Sequence, residues 1–251
     1  MTLFDLLFGA RTWRAPAKVV ITDVTRMQDN RVCIAALHRR ARIRLHEPQP
    51  EEVWLRSVDG LGPGDVVCLS WKTPRHVRRP HIEDADWNPA SLEKVDRLPE
   101  DELVRQLTAL AFSSLQDAFG KPCFFSDNGN AAFPPDKGSR SLAFLMVNSV
   151  RAYSYGDGVR VDFRDSDREW TMAPMEDLRV RIHQAQCGSC SAGLSESLTS
   201  EFEGREALLG VGLGRPFQYG DNPAACYLQV NHIFLIPSRR KHFALSLRSS
   251  P

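Results

Sequence analysis

Long apolar runs are missing from this 251-residue chain. None approaches the ~18 residues that a membrane-spanning helix needs. The opening Met1-Thr-Leu-Phe-Asp-Leu-Leu-Phe-Gly9 is apolar but short, has no basic leading segment and contains Asp5, which argues against a secretory leader. The expectation is a cytoplasmic protein with no membrane partner. Net charge is nearly absent too: 32 Lys and Arg stand against 31 Asp and Glu, leaving +1. Attraction for a polyanion must therefore come from local clustering rather than global excess. A disulfide framework is also lacking. The six cysteines are irregularly spaced, and Cys33 and Cys68 lie inside apolar strand-like runs, which suits reduced thiols.

What is present is segregated charge. Five arginines and no acid fall between Arg31 and His46, and four cations and no acid between Lys72 and His81. Acids follow at once, at Glu83, Asp84 and Asp86, and again from Asp96 to Glu102. Two segments alternate apolar and basic residues: Ala41-Arg-Ile-Arg-Leu-His46 and Leu178-Arg-Val-Arg-Ile-His183. A strand sends successive side chains to opposite faces. One face then buries Ile43 and Leu45, or Leu178, Val180 and Ile182. The other presents Arg42, Arg44 and His46, or Arg179, Arg181 and His183.

Strand-like runs cover Lys18–Val24, Arg31–Leu37, Arg42–His46, Val53–Val58 and Val66–Trp71. The last follows the turn Gly62-Pro-Gly-Asp65, where Pro presets one dihedral and Gly accepts positive φ. Five short strands at this spacing predict a small barrel. Helical periodicity runs from Pro99 to Phe119, with Glu100, Asp101 and Glu102 at the positive end and Gly120 and Pro122 as the stop. Residues 121–140, rich in Pro, Gly, Asn and Asp, read as a loop. Strands resume at Leu142–Val150, Val159–Arg164, Glu169–Met172, Leu178–His183, Ala207–Leu213 and Cys226–Ile236.

The expected fold is mainly β with one long helix, two small barrels in tandem. An arm occupies 1–16, a first barrel 17–98, the bridging helix 99–120, a loop 121–140, a second barrel 141–237 and a basic tail 238–251. Internal similarity is faint. Ile21-Thr-Asp-Val24 matches Val147-Asn-Ser-Val150, and Arg79-Pro80 with Asn88-Pro89 echoes Arg215-Pro216 with Asn222-Pro223.

The wording Lys18-Val-Val-Ile-Thr-Asp-Val-Thr-Arg26, Arg31-Val-Cys-Ile-Ala35 and Arg79-Pro-His-Ile-Glu-Asp84 resembles bacterial proteins described as dual OB-domain-containing. The resemblance spans about Lys18 to Pro237. It implies tandem OB-folds and a nucleic-acid-binding accessory of a bacterial conflict or antiviral defence system, and it brings no catalytic residues with it.

OB-folds hold single strands with a basic groove and aromatic platforms. Trp54, Trp71, Trp87, Trp170, Tyr153 and Tyr155 are the aromatic candidates. Trp71 stands out because it ends a strand just before the basic loop. The expected interface is Arg42, Arg44, Trp71, Lys72, Arg75, Arg78 and Arg79 in the first barrel, with Arg179 and Arg181 as second-barrel equivalents. A solvated sheet face is the plainer alternative for the arginine rows; two rows plus a loop of four cations favour binding. Whether the ligand is DNA or RNA is left open.

Catalytic motifs are wanting, and no enzyme activity is expected. Cys187-Gly-Ser-Cys190, with His183 four residues earlier, has donors suited to tetrahedral zinc. A closed site needs a further pair, however, and the nearest candidates are the isolated Cys226 and His232, so free loop thiols are preferred and zinc is the alternative. His81-Ile-Glu83 lacks the Pro-Cys-x-x-Cys partner of a zinc deaminase. Gly210-Val-Gly-Leu-Gly214 is not a dinucleotide fingerprint, because Pro216 precludes the following helix; glycines in a curved barrel strand explain it better. Two rival functions stand beside nucleic-acid binding. One is a protein-interaction adaptor docking a partner through Phe4, Leu7 and Phe8 of the arm. The other is a metal-dependent nuclease using Glu83, Asp84 and Asp86.

Overall fold

A computed structural model describes residues 13, 15–26, 32–46, 60–156, 158–180 and 205–236, with backbone only at Arg26 and His46. Its first half is a meander of β1 (Ala17–Arg26), β2 (Val32–His38) and β3 (Ala41–His46), each antiparallel to the next. The remaining strands are β4 (Asp65–Leu69), β5 (Trp71–Lys72), β6 (Asp84–Trp87) and β7 (Glu93–Arg97). β3 pairs in parallel with β6, β6 antiparallel with β5, and β4 antiparallel with β1. β4 and β5 are one segment bent at Ser70, whose N–H donates to Ser91 Oγ at 2.9 Å. Counting that segment as one strand, the circuit first-second-third-fifth-fourth-first closes a five-stranded barrel, which is OB-like. β7 lies along the outer edge of β4.

The second half repeats the circuit. β10 (Leu142–Val147) and β11 (Ser149–Tyr155) form one strand bent at Asn148. β12 (Gly158–Arg164) and β13 (Glu169–Pro174) complete its meander. The chain leaving β13 bridges in parallel to β15 (Cys226–Leu235) through Met175 and Val230. β15 pairs antiparallel with β14 (Ala207–Leu213), and β14 with β10. The matched peptides Ile21–Val24 and Val147–Val150 thus occupy the same place, the irregular point of each first strand. The Arg-Pro/Asn-Pro echo does not correspond: Asn88 follows a fifth strand, whereas Asn222 precedes one.

Each barrel has its own apolar interior. Ile21, Ile34, Leu45, Val67, Leu69, Trp71 and Trp87 fill the first, and Leu145, Val150, Val161, Phe163, Trp170, Leu209 and Val230 the second. A third cluster lies at the joint, where Leu37 of β2 meets Leu103, Val104 and Leu107 of a helix and Phe144, Leu208 and Phe234 of the second barrel.

Four expectations are corrected. The single helix is two, α1 (Glu100–Thr108) and α2 (Leu115–Phe119). Between them Phe112 is drawn into a bridge with β10: its N–H donates to Phe144 O at 2.8 Å and its carbonyl accepts from Met146 N at 2.9 Å. Ser114 then caps α2 by accepting from Asp117 N, as Ser does at a helix start. Residues 121–140 are not a plain loop, for they contain β8 (Phe124–Phe125) and β9 (Ala131–Phe133), and β9 pairs with β15. Leu178–Val180 is helical, not extended. Asp177 Oδ1 accepts the Arg179 N–H at 2.9 Å and so starts a helical turn. Finally, β6 and β7 form where no strand was expected.

The arm 1–12, including Phe4, Leu7 and Phe8, lies outside the described residues. So do Val53–Val58 with Trp54, Arg181 to Cys190 with His183 and Cys187, and the tail from 237.

Candidate nucleic-acid interface

The β3 arginines turn away from solvent. Arg42 donates from Nη1 to Ala143 O at 2.7 Å, pairs with Asp23 through Nη2, and sets its guanidinium 4.0 Å over the Phe144 ring. Arg44 is 6% exposed. It bonds His81 Nδ1 at 2.7 Å, reaches Leu213 O at 3.4 Å and pairs with Asp84 at 3.5 Å. These partners belong to both barrels. The outer face of β2 and β3, which an OB-fold offers to a single strand, is therefore covered here by β10 and β14. The expected outward row at Arg42 and Arg44 is corrected: its alternation exists, but the face it makes is an internal joint.

That joint is densely polar. Glu83 accepts from the backbone N–H groups of Ser141 (2.9 Å) and Leu142 (3.2 Å). Asp84 also takes Arg215 at 2.8 Å, so two of the three carboxylates considered for metal chemistry are bound into the contact. Burial, followed by the charges of Arg44 and Arg215, pushes His81 down to about 3, and the ring stays neutral. Burial likewise raises the Cys226 thiol to about 11. At 3.9 Å from His81 Nε2, this thiol is thus no thiolate nucleophile at neutral pH.

Trp71 is also corrected, being 5% exposed inside the first barrel, in register opposite Trp87 at 1%. Their polar strand neighbours Lys72 and Asp86 take the alternating, partly exposed positions. Lys72 extends over the Trp13 ring at 4.5 Å. Arg75, Arg78 and Arg79 are exposed as expected. They lie in the connection between the fourth and fifth strands, a loop OB-folds use for oligonucleotides. Arg179 is exposed, but its guanidinium reaches Asp177 at 3.3 Å and His232 at 3.1 Å. Its partner Asp177 is held well below the usual carboxylate range, because hydrogen bonds and charge from His232 and Arg179 outweigh burial.

In the second barrel, among the described residues, the outer face of β11 and β12 is left uncovered. On β11, Ser149, Arg151, Tyr153 and Tyr155 point outward against the inward Val150 and Ala152. On β12, Arg160, Asp162 and Arg164 alternate with the buried Val159, Val161 and Phe163. Cross-strand register sets Arg151 beside Asp162 and Tyr153 beside Arg160. Asp162 Oδ1 accepts from the Tyr153 hydroxyl and from Met172 N, both at 2.9 Å. Burial and then Asp162 raise that phenol to about 12, so it remains a neutral donor. Arg151 lies 5.6 Å from the Tyr153 centroid and Arg160 5.9 Å from that of Tyr155. At the rim, Arg168 sits over Phe125 (4.8 Å) and Trp170 (5.1 Å). Arg151, Arg160, Arg164 and Arg168 form no ion pair among the described residues. The sequence reading named Tyr153 and Tyr155 but missed these arginines, although Gly158-Val-Arg-Val-Asp-Phe-Arg164 carries the same alternation.

Among the described residues no three His, Cys, Asp or Glu side chains converge as a metal site, and no helix is long and apolar enough to cross a membrane.

No family model matches the chain, and no curated protein does. Solved structures do align over most of it. The p204 HINb domain covers 88% of this chain and 99% of its own, at 9% identity and TM-score 0.36. The Ifi202 HINa domain in complex with 20-bp dsDNA covers 90% and 97%, at 9% and 0.34. A replication protein A heterotrimer bound to ssDNA covers 88% of this chain and 49% of its own, at 9% and 0.34. Similarity this slight assigns no function, and the OB-like fold stands on the strand circuits themselves.

Proposed function

We propose that the protein binds nucleic acid, without catalysis, on the outer face of β11, β12 and β13. The carrying observation is the arrangement of Arg151, Tyr153, Tyr155, Arg160 and Arg164 on one open sheet face, where guanidinium groups border aromatic rings. Cations that form no ion pair among the described residues suit phosphates, and flanking rings suit bases. The exposed loop with Arg75, Arg78 and Arg79 extends the positive surface. The first-barrel face contributes binding energy to folding instead, since Arg42 and Arg44 hold the two barrels together. A role in a bacterial defence system follows only from the resemblance of the Lys18–Asp84 wording, and co-purification from the native host tests it.

Fluorescence anisotropy with a labelled single-stranded oligonucleotide tests the binding itself. The Arg151→Ala/Arg160→Ala/Arg164→Ala variant should keep its circular dichroism and lose at least tenfold in affinity. Its log–log salt slope should shrink by about 2, at roughly 0.7 per lost phosphate contact on a single strand. Undiminished affinity in a folded variant would exclude this face.

A further inference from the structure

Two loops outside that face leave the molecule from one buried joint. The connection between β5 and β6 ends at His81 and Asp84; the connection between β14 and β15 begins at Gly214 and Arg215. Arg215 pairs with Asp84 at 2.8 Å, and His81 meets Cys226, the first residue of β15. The two loops therefore start side by side although they belong to different barrels.

They differ in chemistry. The first exposes Arg75, His76, Arg78 and Arg79, together with Val77 and Ile82, and contains no acid before Glu83. Arg78 and Arg79 have no hydrogen-bond or ion-pair partner among the described residues. The second exposes Phe217 at 61% and Tyr219 at 57%, the two most exposed large hydrophobic side chains described. These rings stand on a built hairpin. Phe217 and Ala225 exchange backbone hydrogen bonds at 3.0 and 3.1 Å, and Asn222 N donates to Tyr219 O at 3.2 Å. Gly220 takes φ +56°, in the left-handed region, at the tip. Neither ring is stacked on another among the described residues. Exposed flat rings on one loop, and on its neighbour cations without a partner among the described residues, complement a ligand with flat rings and anionic links.

Resting on the nucleic-acid reading above, we propose that these two loops form a composite site for unpaired nucleotides, with bases stacking on Phe217 and Tyr219 and phosphates meeting Arg78 and Arg79. Duplex bases are already stacked on one another and offer these rings only a helix end, so the site selects single strands. Chain geometry keeps the parts within reach. Arg79 is two residues from His81 and Phe217 three from Gly214, so each lies within about 7 and 11 Å of the joint at full extension.

The test compares the full chain with its Phe217→Ala/Tyr219→Ala variant by anisotropy, using three probes of equal length: a single strand, a blunt duplex and an abasic single strand. The variant should lose at least tenfold on the single strand, the size expected of a lost base stack, and less than twofold on the duplex and the abasic strand. Arg78→Ala/Arg79→Ala should weaken the intact and abasic single strands alike. An equal loss by the aromatic variant on intact and abasic strands, or no loss on either, would overturn the stacking site. If the β11–β13 arginine variant still weakens binding in that case, only this inference fails. If no probe binds the unmodified protein, the nucleic-acid reading fails with it, and an acidic protein partner becomes the occupant to pursue.

Discussion

Arg215 of the second barrel and Arg44 of the first converge on one carboxylate, Asp84, at 2.8 and 3.5 Å. This shared acid shows what the first-barrel arginines do. Of these, the β3 pair Arg42 and Arg44 is spent on an interface between barrels, where each guanidinium meets a carboxylate, a ring or a carbonyl. Such pairs are costly to break singly, because removing one partner strands the other in a dry site.

Arg42 provides the clearest case. Asp23 is fully buried and its Oδ2 depends on Arg42. Arg42→Ala should destabilise the fold by about 3–5 kcal/mol, read as a lower urea midpoint. The double variant Asp23→Leu/Arg42→Leu should recover much of that loss, since no charge is left unpaired.

The joint should also weaken in acid. His81 has a folded pKa of about 3 against an ordinary 6.5, so between these values the unfolded chain binds the proton that the folded one refuses. Stability is then complete above pH 6.5 and falls as pH drops towards 3, by up to about 1.4 kcal/mol per unit. Urea denaturation at pH 7, 6 and 5 should show the fall, and His81→Asn should flatten this part of the slope. Parallel slopes in both proteins would contradict it.

Gly210 of the second barrel lies against Asp23 of the first. A Cβ there would stand 2.2 Å from Asp23 Oδ1, on a carboxylate already fixed by Arg42 and by Thr22 Oγ1 at 2.8 Å. Gly210→Ala should cost about 1–3 kcal/mol by overpacking. Gly62→Ala, with open space around its added methyl, is the control, and thermal melts of both variants give the comparison.

After the break at Phe112, Ser114 caps the start of α2. Ser114→Ala removes the cap on Asp117 N and should lower stability by about 1 kcal/mol, measured by the same denaturation. A neutral effect would mean that the Phe112 bridge alone ends the helix run.

Much of this fold was legible. Ala207–Leu213 is the strand its pattern predicts, and the alternation at Arg42 to Leu45 correctly separates two faces. What alternation leaves undetermined is whether the polar face meets water or a second domain. Another signal was available: Val32-Cys-Ile-Ala-Ala-Leu37 is apolar at successive positions, the mark of a strand covered on both faces. Its neighbour β3 was bound to share that cover. Trp71 misled because a place at a strand end beside a basic loop does not tell which face of the strand the ring takes, and here it takes the inner one. The helix periodicity of Leu110, Ala111, Leu115 and Ala118 persists through residues that tertiary hydrogen bonds pull out of the helix. Arg151, Arg160 and Arg164 were readable from the alternation of β11 and β12, and were overlooked because denser basic clusters lay elsewhere.

Hydrogen exchange of the full chain, with and without a saturating single-stranded oligonucleotide, tests the central claim most directly. If the first barrel's face is closed and the second's open, added protection should fall on residues 149–174 and on the loops at 75–82 and 215–224, leaving β3 at Ala41–His46 unchanged. Protection confined to β3, or an opening of the contacts at Ala143 and Leu213 on binding, would contradict it.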